Sequence, residues 1–136
     1  DGSVLTGGGS VIAALSRDLR SHAEGIGGRE QMAIEAFSSA LEVIPRTLAE
    51  NAGLDPVNTI IDLRKAHSEG KSTHGVNVYK GGVVDMAKAK VYEPSRVVEQ
   101  AIQSASETAV MILRIDDVIS SKGAGPMPED FEGMDM

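Results

Sequence analysis

Apolar residues along most of this chain recur at spacings of three and four, the pattern of helices that bury one face. Val11, Ile12, Leu15 and Leu19 predict a helix over residues 10–24. The longest pattern covers residues 31–51, where Ala33, Phe37, Ala40, Leu41, Ile44 and Leu48 form one stripe and Met32, Ala36 and Val43 a second. A helix with two apolar stripes needs cover on more than one side, so this one is expected to be central. Pro45 lies inside it, lacks the N–H that would reach the carbonyl of Leu41, and crowds that carbonyl at a cost of roughly 3 kcal/mol. A kinked, broadly buried helix is therefore predicted. Asn51, Ala52 and Gly53 supply its left-handed stop, and Asp55-Pro56 supplies an N-cap and first-turn proline for a third helix. That helix carries Val57, Ile60, Ile61 and Leu63 inward and runs out at residues 68–70.

Between Lys71 and Pro94 the period changes. Residues 75–79 and 83–84 read as short strands around a Lys80-Gly81-Gly82 turn, followed by a short helix at 85–88 and an extended piece at 91–93. Val98, Ala101, Ile102, Ala105, Ala109, Ile112 and Ile115 then predict a last helix from Pro94-Ser95 to about Ile119. Residues from Ser120 onward, rich in Gly, Pro, acids and Met, have no period and are expected to be a disordered tail.

Composition narrows the core. Aromatic residues make up 3% of the chain and 41% is hydrophobic, so the core is built from Ala, Val, Ile, Leu and Met, which suits close-packed helices. The expected fold is mainly α, a helical bundle with a small β-hairpin. A net charge of −7 without clustered Lys or Arg disfavours nucleic acid and anionic membrane as partners. The absence of cysteine excludes disulfides and thiolate chemistry. With no apolar run of membrane-spanning length and no signal peptide, the expected location is cytoplasmic.

Candidate chemistry is sparse. Gly7-Gly8-Gly9 leads into a helix, an arrangement that lets backbone approach a ligand and aims free N–H groups at an anion; a flexible turn is the simpler reading of a bare triple glycine. Gly70-Lys71-Ser72 ends like a phosphate-binding loop, but Lys65 stands where the upstream glycine is needed and no strand precedes it, so it reads as a surface turn. His22, His67 and His74 lack ligand spacing and read as solvated. Asp116-Asp117, Glu35, Glu42 and Glu50 fit the polar sides of helices better than an acid–base or metal site. No serine stands in a nucleophile elbow. Patterning alone yields a helical domain with a possible anion-binding turn.

Longer strings carry more. The triple glycine before a helix, GREQMAIEAF at 28–37, ALEVIPRTLAENAGLDP at 40–56, GVNV at 75–78, YEP at 92–94 and MILRIDDVI at 111–119 closely resemble, in order and spacing, the group II chaperonins, the thermosome family of archaea. The resemblance covers nearly all of residues 1–122 and corresponds to the C-terminal half of the equatorial domain, with 123–136 as an acidic, Met-containing tail. It implies ATP or ADP with Mg2+ as the cofactor of a complete subunit. It also implies other chaperonin subunits as ring partners and unfolded polypeptides as clients of an apical domain that lies outside these residues.

Residue by residue, the resemblance implies that Gly8 and Gly9 line a nucleotide pocket, that Asn77 and Val78 sit by the adenine, and that Glu93 accepts hydrogen bonds from the ribose hydroxyls. Two positions depart from the family pattern: Ile12 replaces a usual acidic residue, and Lys90 a usual glycine on the path into Glu93. The family's phosphate loop and catalytic aspartates belong to segments before Asp1. The resemblance therefore implies half a pocket, no catalytic or metal-binding residue here, and no ATP hydrolysis by this polypeptide alone. The alternative expectation is an autonomous helical assembly module that keeps chaperonin-type contacts without ATPase activity.

Overall fold

The computed structural model describes residues 3–124. Four helices and four three-residue strands follow in the order β1 (Val4–Thr6), α1 (Ser10–Ala23), α2 (Gly28–Asn51), α3 (Pro56–Ser68), β2 (His74–Val76), β3 (Val83–Asp85), β4 (Tyr92–Pro94) and α4 (Ser95–Ala124). The strands form two antiparallel pairs, β1 with β4 and β2 with β3. The mainly helical expectation holds, with a second small sheet that periodicity does not reveal.

The long helix α2 is central, packing against α1, α3 and α4. On one side Ala40 and Leu41 meet Ile12 of α1 and Val98, Ala105 and Ala109 of α4. On another, Ala49 joins Ala13 of α1, Leu63 of α3 and Val76 of β2. The alanines let helix backbones come close, so a core almost free of aromatics still excludes water. Leu41 is fully buried and Ile12 nearly so, each worth about 1.5–3 kcal/mol of transfer free energy. Pro45 is also buried, and α2 continues through it to Asn51. At the end of α2, Asp55 caps α3 by accepting N–H groups from Val57 (2.9 Å) and Asn58 (3.1 Å).

Several expectations are corrected. Val57 and Ile61 face outward, 59% and 55% exposed, and only Ile60 and Leu63 of that group are buried. β2 ends at Val76 rather than Tyr79 because the Asn77 side chain turns the chain, accepting from the N–H groups of Tyr79 and Lys80. The short helix expected at 85–88 is a turn, in which Asp85 Oδ1 accepts from Ala87 N–H (3.0 Å) and Lys88 N–H (3.3 Å). The last helix continues to Ala124, beyond Ile119; the rest of the expected tail lies outside the described residues.

Candidate functional site

The glycine turn is wedged between other segments. Gly8 and Gly9 both have left-handed backbones, φ 65° and 74°. Val76 N–H donates to the Gly8 carbonyl at 2.8 Å, and Gly7 N–H donates to the Val91 carbonyl at 2.9 Å. A Cβ on Gly8 would lie 2.6 Å from the Val76 oxygen, and one on Gly9 would lie 3.1 Å from Pro45 Cβ. The reading as a flexible turn therefore gives way to a packed junction of β1, β2 and the middle of α2. Immediately after it, α1 begins without a side-chain cap; the Ser10 N–H donates to the Gly7 carbonyl (3.2 Å) and the Ala13 N–H to the Gly9 carbonyl (2.8 Å), which leaves the N–H groups of Val11 and Ile12 and the positive end of the dipole for an anion.

Glu93 is carried to the same region by β4, where it pairs in register with Leu5 of β1, while Tyr92 pairs with Thr6. It is half-buried and makes no side-chain hydrogen bond or ion pair among the described residues. Burial alone pushes its carboxyl above the ordinary value. An acceptor-only group in this state gains from any hydroxyl donor that reaches it. The approach to Glu93 runs through Lys90, which adopts φ 58°. Lysine here takes a left-handed conformation that glycine adopts freely, at the cost of local strain.

Asn77 follows β2 directly and is buried. Its N–H donates to the Gly82 carbonyl (3.0 Å), its own carbonyl accepts from Gly81 N–H (2.8 Å), and its Oδ1 is held by the loop it caps. Val78 lies on that loop, 40% exposed. Because Val76 is bonded to Gly8, the Asn77 loop starts one residue from the glycine turn. β2 thus ties the start of the Asn77 loop to the Gly8-Gly9 turn, and the β1–β4 pair places Glu93 opposite Leu5, three residues before Gly8.

Two features escaped the sequence reading. Glu42, expected on a polar helix side, is buried between Arg20 of α1 (2.8 Å) and Arg64 of α3. Burial raises its pKa, but hydrogen bonds from Arg64 and Arg20 outweigh that and bring it down to about 2. Glu42 falls in a row of buried positions on α2 with Ser38, Pro45 and Ala49, at spacings of four, three and four. His67, expected in solvent, is 5% exposed, with Nε2 2.8 Å from the His74 carbonyl. Among the described residues, no group of three or more His, Asp or Glu is placed to hold a metal ion, and no helix is long and apolar enough to cross a membrane.

Helices packed on a central proline-containing helix, with a glycine junction tied to two small sheets, define the class. Residues 1–123 match the model of the TCP-1/cpn60 chaperonin family, and the chain belongs to that family. Within it the similarity is to the group II branch. The chain is 57% identical over 121 residues to thermosome subunit 1 of Haloferax volcanii, covering 89% of this chain and 22% of that subunit. It is 55% identical over 122 residues to the thermosome beta subunit of Thermoplasma acidophilum, covering 90% and 22%. The open-state monomer of a group II chaperonin from Methanococcoides burtonii superposes with a TM-score of 0.72 at 51% identity, over 82% of this chain and 28% of that one. The fold is that of a chaperonin equatorial-domain segment, and it spans about a quarter of the length of these relatives.

Proposed function

We propose that this chain acts as the C-terminal part of the equatorial domain of a group II chaperonin subunit, supplying one side of a nucleotide pocket and contacts within a ring. The ring uses ATP to assist the folding of other polypeptides. The observation that supports this best is the convergence of three segments distant in sequence, in which the Gly8 carbonyl holds Val76 while β1 holds β4. Gly8 and Gly9 would bring backbone close to ribose and phosphate, and the uncapped α1 would favour the negative charge. The unpartnered, half-buried carboxylate of Glu93 would accept the ribose hydroxyls. Asn77 and Val78 would flank the base.

The described residues fit the sugar and phosphate side of a nucleotide and offer no carboxylate cluster for Mg2+. When bound, Mg2+ would neutralise phosphate charge, held by residues from the rest of a subunit. These residues bind and orient; the groups that position metal and water would come from elsewhere. The test is a chimera in which residues 1–122 replace the corresponding segment of the Haloferax volcanii thermosome subunit. Ring assembly with ATP hydrolysis close to that of the parent is expected. A chimera that folds and assembles but neither binds nor hydrolyses ATP would contradict the proposal.

A further inference from the structure

Away from the glycine turn, α1, α2 and α3 form an open pocket of about 240 Å³ whose lining includes three arginines. Arg17 and Arg20 come from α1 and Arg64 from α3. They stand seven to ten residues along α1 from its first residue, about 10–15 Å at the helical rise, so this is not the helix N-terminus. Arg64 commits Nε and Nη2 to Glu42, and Arg20 commits Nη2. Nη1 of Arg64, and Nε and Nη1 of Arg20, remain for another acceptor. Arg17 makes no side-chain hydrogen bond or ion pair among the described residues.

The charge balance favours an anion. Glu24 also lines the pocket, and with Glu42 it leaves the three arginines one positive charge in excess, on a chain whose net charge is −7. Glu42 keeps its negative charge at any physiological pH and holds two of the guanidiniums in place before a ligand arrives. Less side-chain entropy is then lost on binding. Ala13 and Leu63 form the apolar floor of the pocket, while Arg17 and Arg64 stand at its solvent-exposed rim.

We propose that this pocket is a binding site for a small oxyanion of the phosphate class, held by Arg17, Arg20 and Arg64. The site does not rest on the nucleotide reading, since it shares no residue with it. Equilibrium dialysis of the full chain against labelled inorganic phosphate, with ionic strength held constant by sodium chloride, tests it. About one saturable phosphate per chain is expected at this pocket. Arg17→Gln, which leaves the Glu42 contacts intact, should weaken that binding about fivefold without changing the melting temperature, and Arg17→Lys should weaken it less. The absence of saturable uptake would overturn the proposal. Uptake unchanged in Arg17→Gln would overturn it equally, because the phosphate would then be bound elsewhere, the glycine turn included.

Discussion

Gly8 and Val76 are locked backbone to backbone: the Val76 N–H reaches the Gly8 carbonyl at 2.8 Å, and a Cβ on Gly8 would fall 2.6 Å from the Val76 oxygen. The contact joins the start of α1 to β2 and leaves no space for a side chain. Gly8 also has a left-handed backbone. Gly8→Ala therefore combines backbone strain with a clash against main chain that cannot swing away, and it should destabilise the chain by about 2 kcal/mol or more. Urea unfolding measures this. A loss within a few tenths of a kcal/mol of zero would mean that the junction is looser than described.

The Arg20–Glu42–Arg64 group ties α1, α2 and α3 together and makes stability depend on acid. The folded-state pKa of Glu42 is depressed, from 4.5 to about 2. Its contribution is therefore fully present above the unfolded value and is lost as pH falls through the folded one. Converted at the linkage rate, the shift corresponds to at most about 3 kcal/mol. Unfolding free energies measured from neutral pH down to the acid limit should show this loss below pH 4.5. In Glu42→Gln the same window should be much flatter.

Lys90 invites a stabilising change. With φ at 58° it occupies a conformation that costs a residue with a Cβ about 1 kcal/mol. Lys90→Gly should raise stability by up to that amount despite the greater freedom glycine has in the unfolded chain. A β-branched residue there should lower it. Thermal melts of Lys90→Gly and Lys90→Val compare the two directly, and equal melting temperatures would show that the turn carries no strain.

Much of the molecule is readable from its residues, and what is not has identifiable causes. The stripe of α1, the Ala40–Leu41 stripe of α2, the first half of the α4 stripe and the Asp55-Pro56 start of α3 are local signals that the structure follows, whereas Met32 and Val43 of the second α2 stripe and Ile112 and Ile115 of α4 are exposed. The β1–β4 pair is not local: Leu5 and Glu93 meet across most of the chain, and three-residue strands are too short to show a period. Inward and outward faces also misled where apolar residues outnumber the neighbours available, as at Val57 and Ile61. Glu42 was misplaced because its burial is compensated by arginines on two other helices, which no single-helix pattern contains. The family strings point to Gly8, Gly9, Asn77, Val78 and Glu93 as a group, while patterning alone reached only the glycine turn.

Unpaired apolar surface gives a fourth expectation. Met111, Ile112, Ile115, Val118 and Ile119 are exposed on the far half of α4. Leu15, Leu19, Phe37 and Ile102 line an apolar groove where α1, α2 and α4 meet. Surfaces of this kind favour association. Sedimentation of the 136-residue chain should show mass rising with concentration, and Ile115→Glu should reduce the rise. A chain that stays monomeric and melts cooperatively at all concentrations would show that these faces need no partner.

The central claim is that this segment supplies one side of a chaperonin nucleotide pocket, and Glu93 is where it is most exposed to test. The direct measurement is the affinity for labelled ADP of the thermosome chimera carrying residues 1–122, with Glu93 intact and as Glu93→Ala. Loss of the hydrogen bonds that the ribose hydroxyls donate to this charged acceptor should weaken binding by about tenfold or more, with ring assembly unchanged. Equal affinity in the two assembled rings would contradict the assignment of Glu93 to the nucleotide.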